Sequence, residues 1–206
     1  MIHPMFYNVS RKQEKHKPTR HMKGDCIMEY VQPIRDLAKI EAMKNALAKS
    51  GTRNLLLFCM GINTGLRISD ILTMKVSDVN GKDFYTLTEK KTSKKRRVNL
   101  HAVKSMISAY CVGMNDDDYL FASRKGGEPI TRIQAYRILN NAASQCGLDE
   151  IGTHTMRKTF GYHHYQKYHD VAILQELFNH SAPSITLRYI GITQDEIDAA
   201  TEDFSL

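Results

Sequence analysis

Helical spacing of apolar residues, interrupted in one place by strand-like alternation, most constrains how this chain can fold. Beyond residue 33 the first apolar residues lie three or four positions apart, at Ile34, Leu37, Ile40, Met43 and Leu47. That spacing lines one face of an amphipathic helix. Apolar and polar residues alternate in DFYTLTEK and KRRVNL, residues 83–90 and 95–100, which predicts a β-hairpin with TSKK at its tip. The predicted fold class is therefore mainly α with a small antiparallel β-sheet, an α+β fold.

Residues that favour helix ends divide the rest of the chain. Ser50 and Gly51 end the first predicted helix, and Thr52 opens the apolar stretch LLLFCMGINTG, which stops near Gly65. Ser69 is a possible N-cap of a helix in RISDILTM. Further helices are predicted in HAVKSMISAYCV, RIQAYRILNNAASQCG with Thr131 as its cap, HTMRKTFGYHHYQKYH, VAILQELFNH with Asp170 as its cap, ITLRY and QDEIDAA. NDDD and RKGGEP, residues 115–118 and 124–129, are predicted loops.

The length of 206 residues fits one domain, predicted over residues 33–206. Residues 1–32 are polar and basic and show no sustained period, so a flexible basic N-terminal arm is expected there. No apolar run approaches the roughly 20 residues of a membrane span, and the N-terminus lacks the apolar centre of a secretory signal. The predicted location is therefore the cytoplasm. Four widely separated cysteines are expected to be reduced, mostly buried thiols.

Charge is unevenly distributed along the chain. The net charge is +7 and the sequence pI about 9.2, which favours a polyanionic partner. KKTSKKRR, residues 90–97, has six basic residues and no acid, whereas residues 195–206 have five acids and no base. A solvated surface would explain either segment alone. Together they fit a nucleic-acid face and a separate end that contacts protein or solvent.

Six residues could carry chemistry, and each has an ordinary structural explanation when taken alone. They are Arg67 between two apolar helices, Lys91 at the hairpin base, His154 and Arg157 near a helix start, His180 at a helix end, and Tyr189. Taken alone, Arg67 would be a surface arginine and Lys91 part of an exposed turn. His154 and Arg157 would form a charged helix face, and Tyr189 would be a core residue. The spacing of three between His154 and Arg157 places both on one helical face, where they could form an anion pocket.

As a set, these residue types match a phosphoryl-transfer site that needs no metal. Two guanidinium groups can hold the non-bridging oxygens of a phosphate and neutralise the charge of the transition state. A tyrosine nucleophile, with an ordinary pKa of about 10, needs a proton acceptor and a cationic surround. A histidine can move protons near neutral pH, and a lysine could protonate the leaving sugar oxygen.

The motifs TGLRISDIL, KTSKKRRV, HTMR and NHS…RY resemble those of the tyrosine recombinases, the phage-integrase family, over about residues 33–193. The resemblance implies a tyrosine-recombinase catalytic-domain fold. It also implies an active site of Arg67, Lys91, His154, Arg157, His180 and the nucleophile Tyr189, with Lys90 as an alternative to Lys91. Asn179 departs from the glycine that is common before the second histidine. Most members also carry an N-terminal DNA-clamping domain, and we expect no separate domain of that kind in residues 1–32.

By this resemblance, the protein is expected to be a site-specific recombinase or integrase. Tyr189 would cleave and rejoin DNA strands through a 3′-phosphotyrosine intermediate, without metal, ATP or any other cofactor. Its expected partners are double-stranded DNA and further copies of the chain, assembled as a tetramer on DNA through the C-terminal tail. The residues predicted to bind DNA are Lys90, Lys94, Lys95, Arg96, Arg97, Lys158 and Arg188.

Four other interpretations remain open at this point. A type IB topoisomerase-like enzyme would use the same chemistry without exchanging strands. A non-catalytic or accessory DNA-binding protein could retain the fold. A metal-dependent nuclease could use Asp116, Asp117 and Asp118, although NDDD is more typical of a turn. The remaining interpretation is a metal site formed by His163, His164 and His169.

Overall fold

The computed structural model describes residues 31–88, 95–149 and 151–193, and it confirms the predicted fold class. Its elements, in chain order, are α1 (Leu37–Ser50), α2 (Thr52–Thr64), α3 (Ile68–Leu72), α4 (Val76–Val79), β1 (Phe84–Thr88), β2 (Lys95–Asn99), a 3₁₀ turn (His101–Val103), α5 (Lys104–Tyr110), α6 (Arg132–Gln145), α7 (Thr155–Tyr168), α8 (Val171–Phe178) and α9 (Pro183–Ile190). The predicted helix over residues 194–200 and the hairpin tip lie outside the described residues. No helix within the described ranges is long and apolar enough to cross a membrane.

Several helix ends are formed as their sequences predict. Thr131 accepts a hydrogen bond from the amide of Gln134, whose side chain bonds back to the Thr131 amide, so a capping box begins α6. Asp170 caps α8 by accepting a bond from the Ile173 amide at 3.0 Å. These local patterns need only neighbouring residues, which is why the sequence identifies them.

Other helix ends differ from the prediction. Ser69 is not an N-cap, because α3 begins at Ile68 and Arg67 occupies the capping position. Thr52 is the first residue of α2 and Gly51 is its N-cap, with no side-chain capping bond. The four-residue helix α4 was not predicted, since it is too short for a hydrophobic period and depends on Asp78 accepting a bond from the Lys75 amide.

The hairpin has one inner and one outer face. Leu87 pairs with Arg96 and Tyr85 with Val98, and Leu87 and Val98 are buried. Thr86 and its partner Arg97 are exposed. Because successive strand residues point to opposite faces, Arg96 lies on the inner side while the residues flanking it lie outside.

Two apolar clusters hold the helices together. The main core packs α1, α2, α6 and the hairpin, and includes Leu56, Ile71 and Leu139. The second cluster, which we call the site cluster, consists of buried Leu174, Phe178, Ile190 and Ile192 among α7, α8 and α9.

Close contact between α2 and α7 brings the two parts of the molecule together. At Gly61 of α2, an added Cβ would lie 2.5 Å from the sulfur of Met156 in α7. The glycine therefore lets the helices approach closely. Arg67 follows the end of α2, so this packing places it near Arg157 of α7.

Candidate active site

Tyr189 lies in the last turn of α9 and is half-buried. This helix begins with Pro183, whose fixed backbone suits the first helical position, and ends at Gly191 in a left-handed conformation with φ of 80°. The Tyr189 ring packs edge-on against His180 at a centroid distance of 5.1 Å and against Phe178 at 5.5 Å. These contacts hold the ring so that its hydroxyl has a defined direction.

A histidine from another helix lies beside the tyrosine hydroxyl. His154 occupies the N-cap position of α7, is exposed, and places Nδ1 3.4 Å from the Tyr189 Oη. Hydrogen bonds of catalytic groups are often long before substrate binds and tighten in the complex. The pair can therefore exchange a proton, although the two residues are 35 positions apart in the chain.

Arg157 is a buried cation that donates hydrogen bonds to two main-chain carbonyl groups. Its side chain is 4% exposed, and it donates from Nη1 to Gly65 O at 2.5 Å and from Nη2 to Phe178 O at 3.1 Å. The guanidinium also lies 4.3 Å from the centre of the Phe178 ring. Burial lowers the pKa of Arg157 to about 10, with Arg67 and Arg96 acting in the same direction and Tyr189 opposing them. The group stays protonated near neutral pH and would be stabilised by an anion.

Arg67 also lies near the main-chain carbonyl oxygen of Phe178. It is exposed at the start of α3, and its Nη2 donates to Phe178 O at 3.5 Å. Two guanidinium groups thus converge on the end of α8. Two guanidinium groups that donate to one carbonyl oxygen are close enough to hold the oxygens of a single phosphate, which is the role predicted for them.

The tyrosine hydroxyl is protonated near neutral pH. Burial raises the pKa of Tyr189 above its usual value, while Arg157 and Arg67 act in the opposite direction. Since burial is the largest effect, the phenol does not ionise by itself at pH 7. A nucleophilic role for Tyr189 therefore requires a proton acceptor, and His154 is adjacent to it.

His180 follows the end of α8 and is connected to the tyrosine helix. Its Nδ1 lies 3.0 Å from the Thr186 Oγ1, and Thr186 is fully buried in α9, three residues before Tyr189. Burial lowers the pKa of His180, and the charges of Arg157 and Arg67 lower it further. These surroundings favour the neutral ring near pH 7.

The asparagine that departs from the family pattern occupies a special backbone position. Asn179 has a φ of 54° and ends α8 in the left-handed conformation. Asparagine adopts this conformation more readily than most residues other than glycine. The turn that presents His180 is therefore retained with Asn179 in place of glycine.

The residues predicted to bind DNA occupy different environments. Lys95 and Arg97 are exposed on the outer face of the hairpin, and Arg97 stacks 3.8 Å from the centre of the Phe84 ring. Arg96 points inward, and its Nη1 donates to Leu177 O. Lys158 donates to Val31 O at 2.6 Å and lies 5.2 Å from the Tyr189 ring centre.

The remaining predicted site residues fall in two groups. Arg188 is exposed on α9 and lines a groove beside the start of α1. Lys90, Lys91 and Lys94 lie outside the described residues.

The residues considered for metal sites have other contacts. Asp118 accepts a bond from the Asn115 amide at 2.8 Å, and Asp117 pairs with Lys75 at 3.3 Å, so NDDD forms a turn as predicted. His163 lies 2.9 Å from Ile34 O, and the His164 ring packs against Tyr168. Within the part of the chain that the structure describes, no three His, Cys, Asp or Glu side chains form a group that could hold a metal.

Sequence reasoning missed two residues of the site. Thr186 contacts His180, and Phe178 packs against Arg157, His180 and Tyr189. Thr186 lies one helical turn before Tyr189, so helical spacing would have placed it on the same face. Nothing comparable in the sequence indicated that Phe178 belongs to the site, because an apolar residue in a helix is expected in any core.

Comparison with known proteins identifies the family. A sequence model described as "Phage integrase family" matches residues 36–196, so the chain belongs to the phage integrase family. The chain is 53% identical over 178 residues to a Bacillus subtilis (strain 168) protein named "Probable integrase/recombinase YoeC", covering 86% of this chain and 98% of that protein. It is 28% identical over 173 residues to the tyrosine recombinase XerA of Pyrococcus furiosus, covering 82% of this chain and 60% of that protein.

Solved structures share the fold. A crystal structure of XerA recombinase has a TM-score of 0.68 at 19% identity and covers 84% of this chain and 64% of its own. XerH site-specific recombinase, bound to palindromic difH substrate in a post-cleavage complex, has a TM-score of 0.65 at 22% identity and covers 84% of this chain and 53% of its own. The predicted family and catalytic-domain fold are therefore confirmed. The chain spans about half to two thirds of the two solved recombinases.

Proposed function

We propose that this protein is a site-specific DNA recombinase whose nucleophile is Tyr189. The observation that carries the proposal is the convergence of four side chains from separate parts of the chain on one tyrosine. His154 lies 3.4 Å from its hydroxyl, the His180 ring packs against it, and the two arginines affect its pKa. Membership of the integrase family and likeness to a XerH complex with its difH substrate support DNA as the substrate.

The cleavage step forms one bond to phosphorus and breaks another. The Tyr189 oxygen attacks a DNA phosphodiester and loses its proton to His154, which makes a 3′-phosphotyrosyl bond. The bond from phosphorus to the 5′ oxygen breaks, and that oxygen takes up a proton and leaves as a 5′-hydroxyl. We assign this proton to Lys91, with Lys90 as the alternative. Attack by the 5′-hydroxyl of a partner strand reverses the step and releases Tyr189.

The arginines would exchange one set of oxygens for another. Arg67 and Arg157 now donate to main-chain carbonyls, and in the complex they would donate to the non-bridging oxygens of the phosphate. His180, held neutral by its surroundings, would accept a hydrogen bond from Thr186 at Nδ1 and donate its single N–H, at Nε2, to the same phosphate. Neither metal nor ATP is needed, because the phosphotyrosyl bond retains the energy of the broken diester.

DNA binding and assembly complete the proposal. Lys95 and Arg97 on the outer hairpin face contact backbone phosphates, together with Lys90 and Lys94. Residues 33–206 act as the catalytic domain, and residues 1–32 act as a basic arm.

The acidic tail over residues 195–206 docks on a neighbouring copy in a tetramer on DNA. A groove of about 930 Å³ between the start of α1 and the end of α9 has a net positive charge, with Arg35, Lys39 and Arg188 outnumbering Asp36 on its walls. Deletion of residues 195–206 should therefore reduce the assembly formed on DNA, as measured by light scattering.

Covalent capture of DNA tests the nucleophile. The wild-type protein is incubated in EDTA with supercoiled plasmid and with a pool of randomised duplexes, and the reaction is stopped with SDS. Covalent adducts are expected with wild type and with Tyr168→Phe, which alters an exposed tyrosine of α7, but not with Tyr189→Phe. Adducts that persist in Tyr189→Phe would contradict the assignment. Relaxed circles without joined partners would favour topoisomerase activity instead.

A further inference from the structure

The position of Arg96 separates it from the other basic residues of its segment. It lies on the inner face of the hairpin opposite Leu87 and is half-buried, whereas Lys95 and Arg97 are exposed on the outer face. A guanidinium among apolar side chains is unfavourable unless its N–H groups are hydrogen-bonded. The Arg96 Nη1 donates to Leu177 O, at the end of α8. A charge run that looks uniform in sequence thus contains one residue directed into the protein.

The end of α8 has four carbonyl groups without partners inside the helix, and all four have donors. The amides of Asn179 and His180 donate to Glu176 O and Gln175 O. Phe178 O accepts from Arg157 and Arg67. Leu177 O accepts from Arg96.

Arg96 therefore completes the C-terminal cap of α8, and it does so from the hairpin. Cationic side chains are also favoured at the negative end of a helix.

We propose that Arg96 is a positioning residue of the active site: it anchors the end of α8, and thereby Phe178 and His180, and does not bind DNA phosphates. This inference rests on the proposed recombinase function. Phe178 and His180 both pack against the Tyr189 ring, so a shift of this turn would move the groups around the nucleophile. The charge of Arg96 also contributes to lowering the pKa of Arg157.

The role of Arg96 differs from that of the two arginines beside it. When phosphate binds, Arg67 and Arg157 would leave Phe178 O for phosphate oxygens. Arg96 donates to a different carbonyl, so its contact with Leu177 O can remain. Arg96 would then hold α8 in place while the other two arginines change partners.

The experiment compares Arg96→Met with Arg97→Met, neighbours on opposite faces of one strand. A phosphate contact contributes to the dependence of DNA affinity on salt, so Arg97→Met should lower that slope by about 0.9. Arg96→Met should leave the slope unchanged. Its single-turnover cleavage of a nicked duplex, at saturating protein, should be about 10- to 100-fold slower than that of wild type. Arg96→Lys, which keeps a donor and a charge, should recover part of this rate.

An NMR measurement without DNA separates positioning from general stability and from the recombinase function. The ¹⁵N imidazole signals and the pKa of His180 should change in Arg96→Met and stay as in wild type in Arg97→Met. Should Arg96→Met not fold, Arg96→Lys provides the same comparison. A lower salt slope with normal cleavage, or an unchanged His180 signal with normal cleavage, would overturn the proposal. Absence of adducts in the wild type would count against the recombinase function alone, since the His180 signals would still report on Arg96.

Discussion

The main core and the site cluster place different kinds of residue in the interior. The main core is built from apolar side chains such as Leu56 and Ile71, which are fully buried. Around the site cluster, the buried residues include Arg157 and Thr186, and half-buried Tyr189 packs against it. Apolar burial stabilises a fold, whereas a buried cation is unfavourable until an anion arrives. The comparison indicates that one region maintains the fold, and it agrees with the proposal that the other region carries out phosphate chemistry.

The largest effect on activity is expected from Arg157→Met. Loss of one charge-stabilising group should slow cleavage by about 10²–10³-fold. Its effect on the free energy of unfolding should be smaller than that of a large cavity in the main core, since methionine removes an unfavourable buried charge. Single-turnover cleavage and urea unfolding measure the two quantities. Arg137→Met, at an exposed position of α6, is the control and should change neither. Strong destabilisation without slower cleavage would contradict the assigned role of Arg157.

The converse result is expected for Leu56→Ala in the main core. Truncating a fully buried leucine should lower the free energy of unfolding by about 2–5 kcal/mol. The cleavage rate of the molecules that remain folded should be close to that of wild type, because Leu56 belongs to the main core and not to the site cluster. Urea unfolding measures the change in stability. Active-site titration by covalent capture counts the active molecules, so that the cleavage rate can be expressed per folded molecule. A slower rate per folded molecule would show that the two regions are more tightly coupled than their packing suggests.

Thr186→Val tests a polar contact buried beside the site cluster. Valine keeps the shape of threonine but removes the hydroxyl 3.0 Å from the His180 Nδ1. An unsatisfied buried group costs about 1–3 kcal/mol, so stability should fall by an amount in that range. Cleavage should also slow, since the His180 ring would no longer be oriented. Thr186→Ser keeps the hydroxyl and should retain more activity than valine; an equal loss in the two variants would contradict a special role for the hydroxyl.

The smallest effect is expected from pH. Burial lowers the folded-state pKa values of His180 and His164 below the ordinary value. The unfolded chain therefore takes up protons first as the pH falls below about 6.5, and the stability that is complete above that pH decreases toward the folded pKa. Urea unfolding between pH 5 and 7.5 should show this decline, with a smaller slope in His180→Gln. A stability that rises as the pH falls through this range would contradict the neutral assignment.

Local patterns allowed much of the fold to be predicted. Helical spacing, the caps at Thr131 and Asp170, and the alternation that forms the hairpin each involve residues a few positions apart. The same alternation already places Arg96 on the face of Val98, although its charge suggested an exposed residue. Short features such as α4 could not be predicted, because four residues carry no period.

The six candidate catalytic residues were found from their types, their spacing and their resemblance to a family. The structure brings five of them together, and Lys91 lies outside the described residues. By itself, the sequence determined the longer helices, the hairpin and which side chains were candidates for the chemistry. Tertiary packing decided how those side chains are used. Arg157 meets Gly65 across 92 positions of chain, and burial alters the pKa values of Tyr189 and His180. Such effects depend on what surrounds a group in space, which local sequence does not encode.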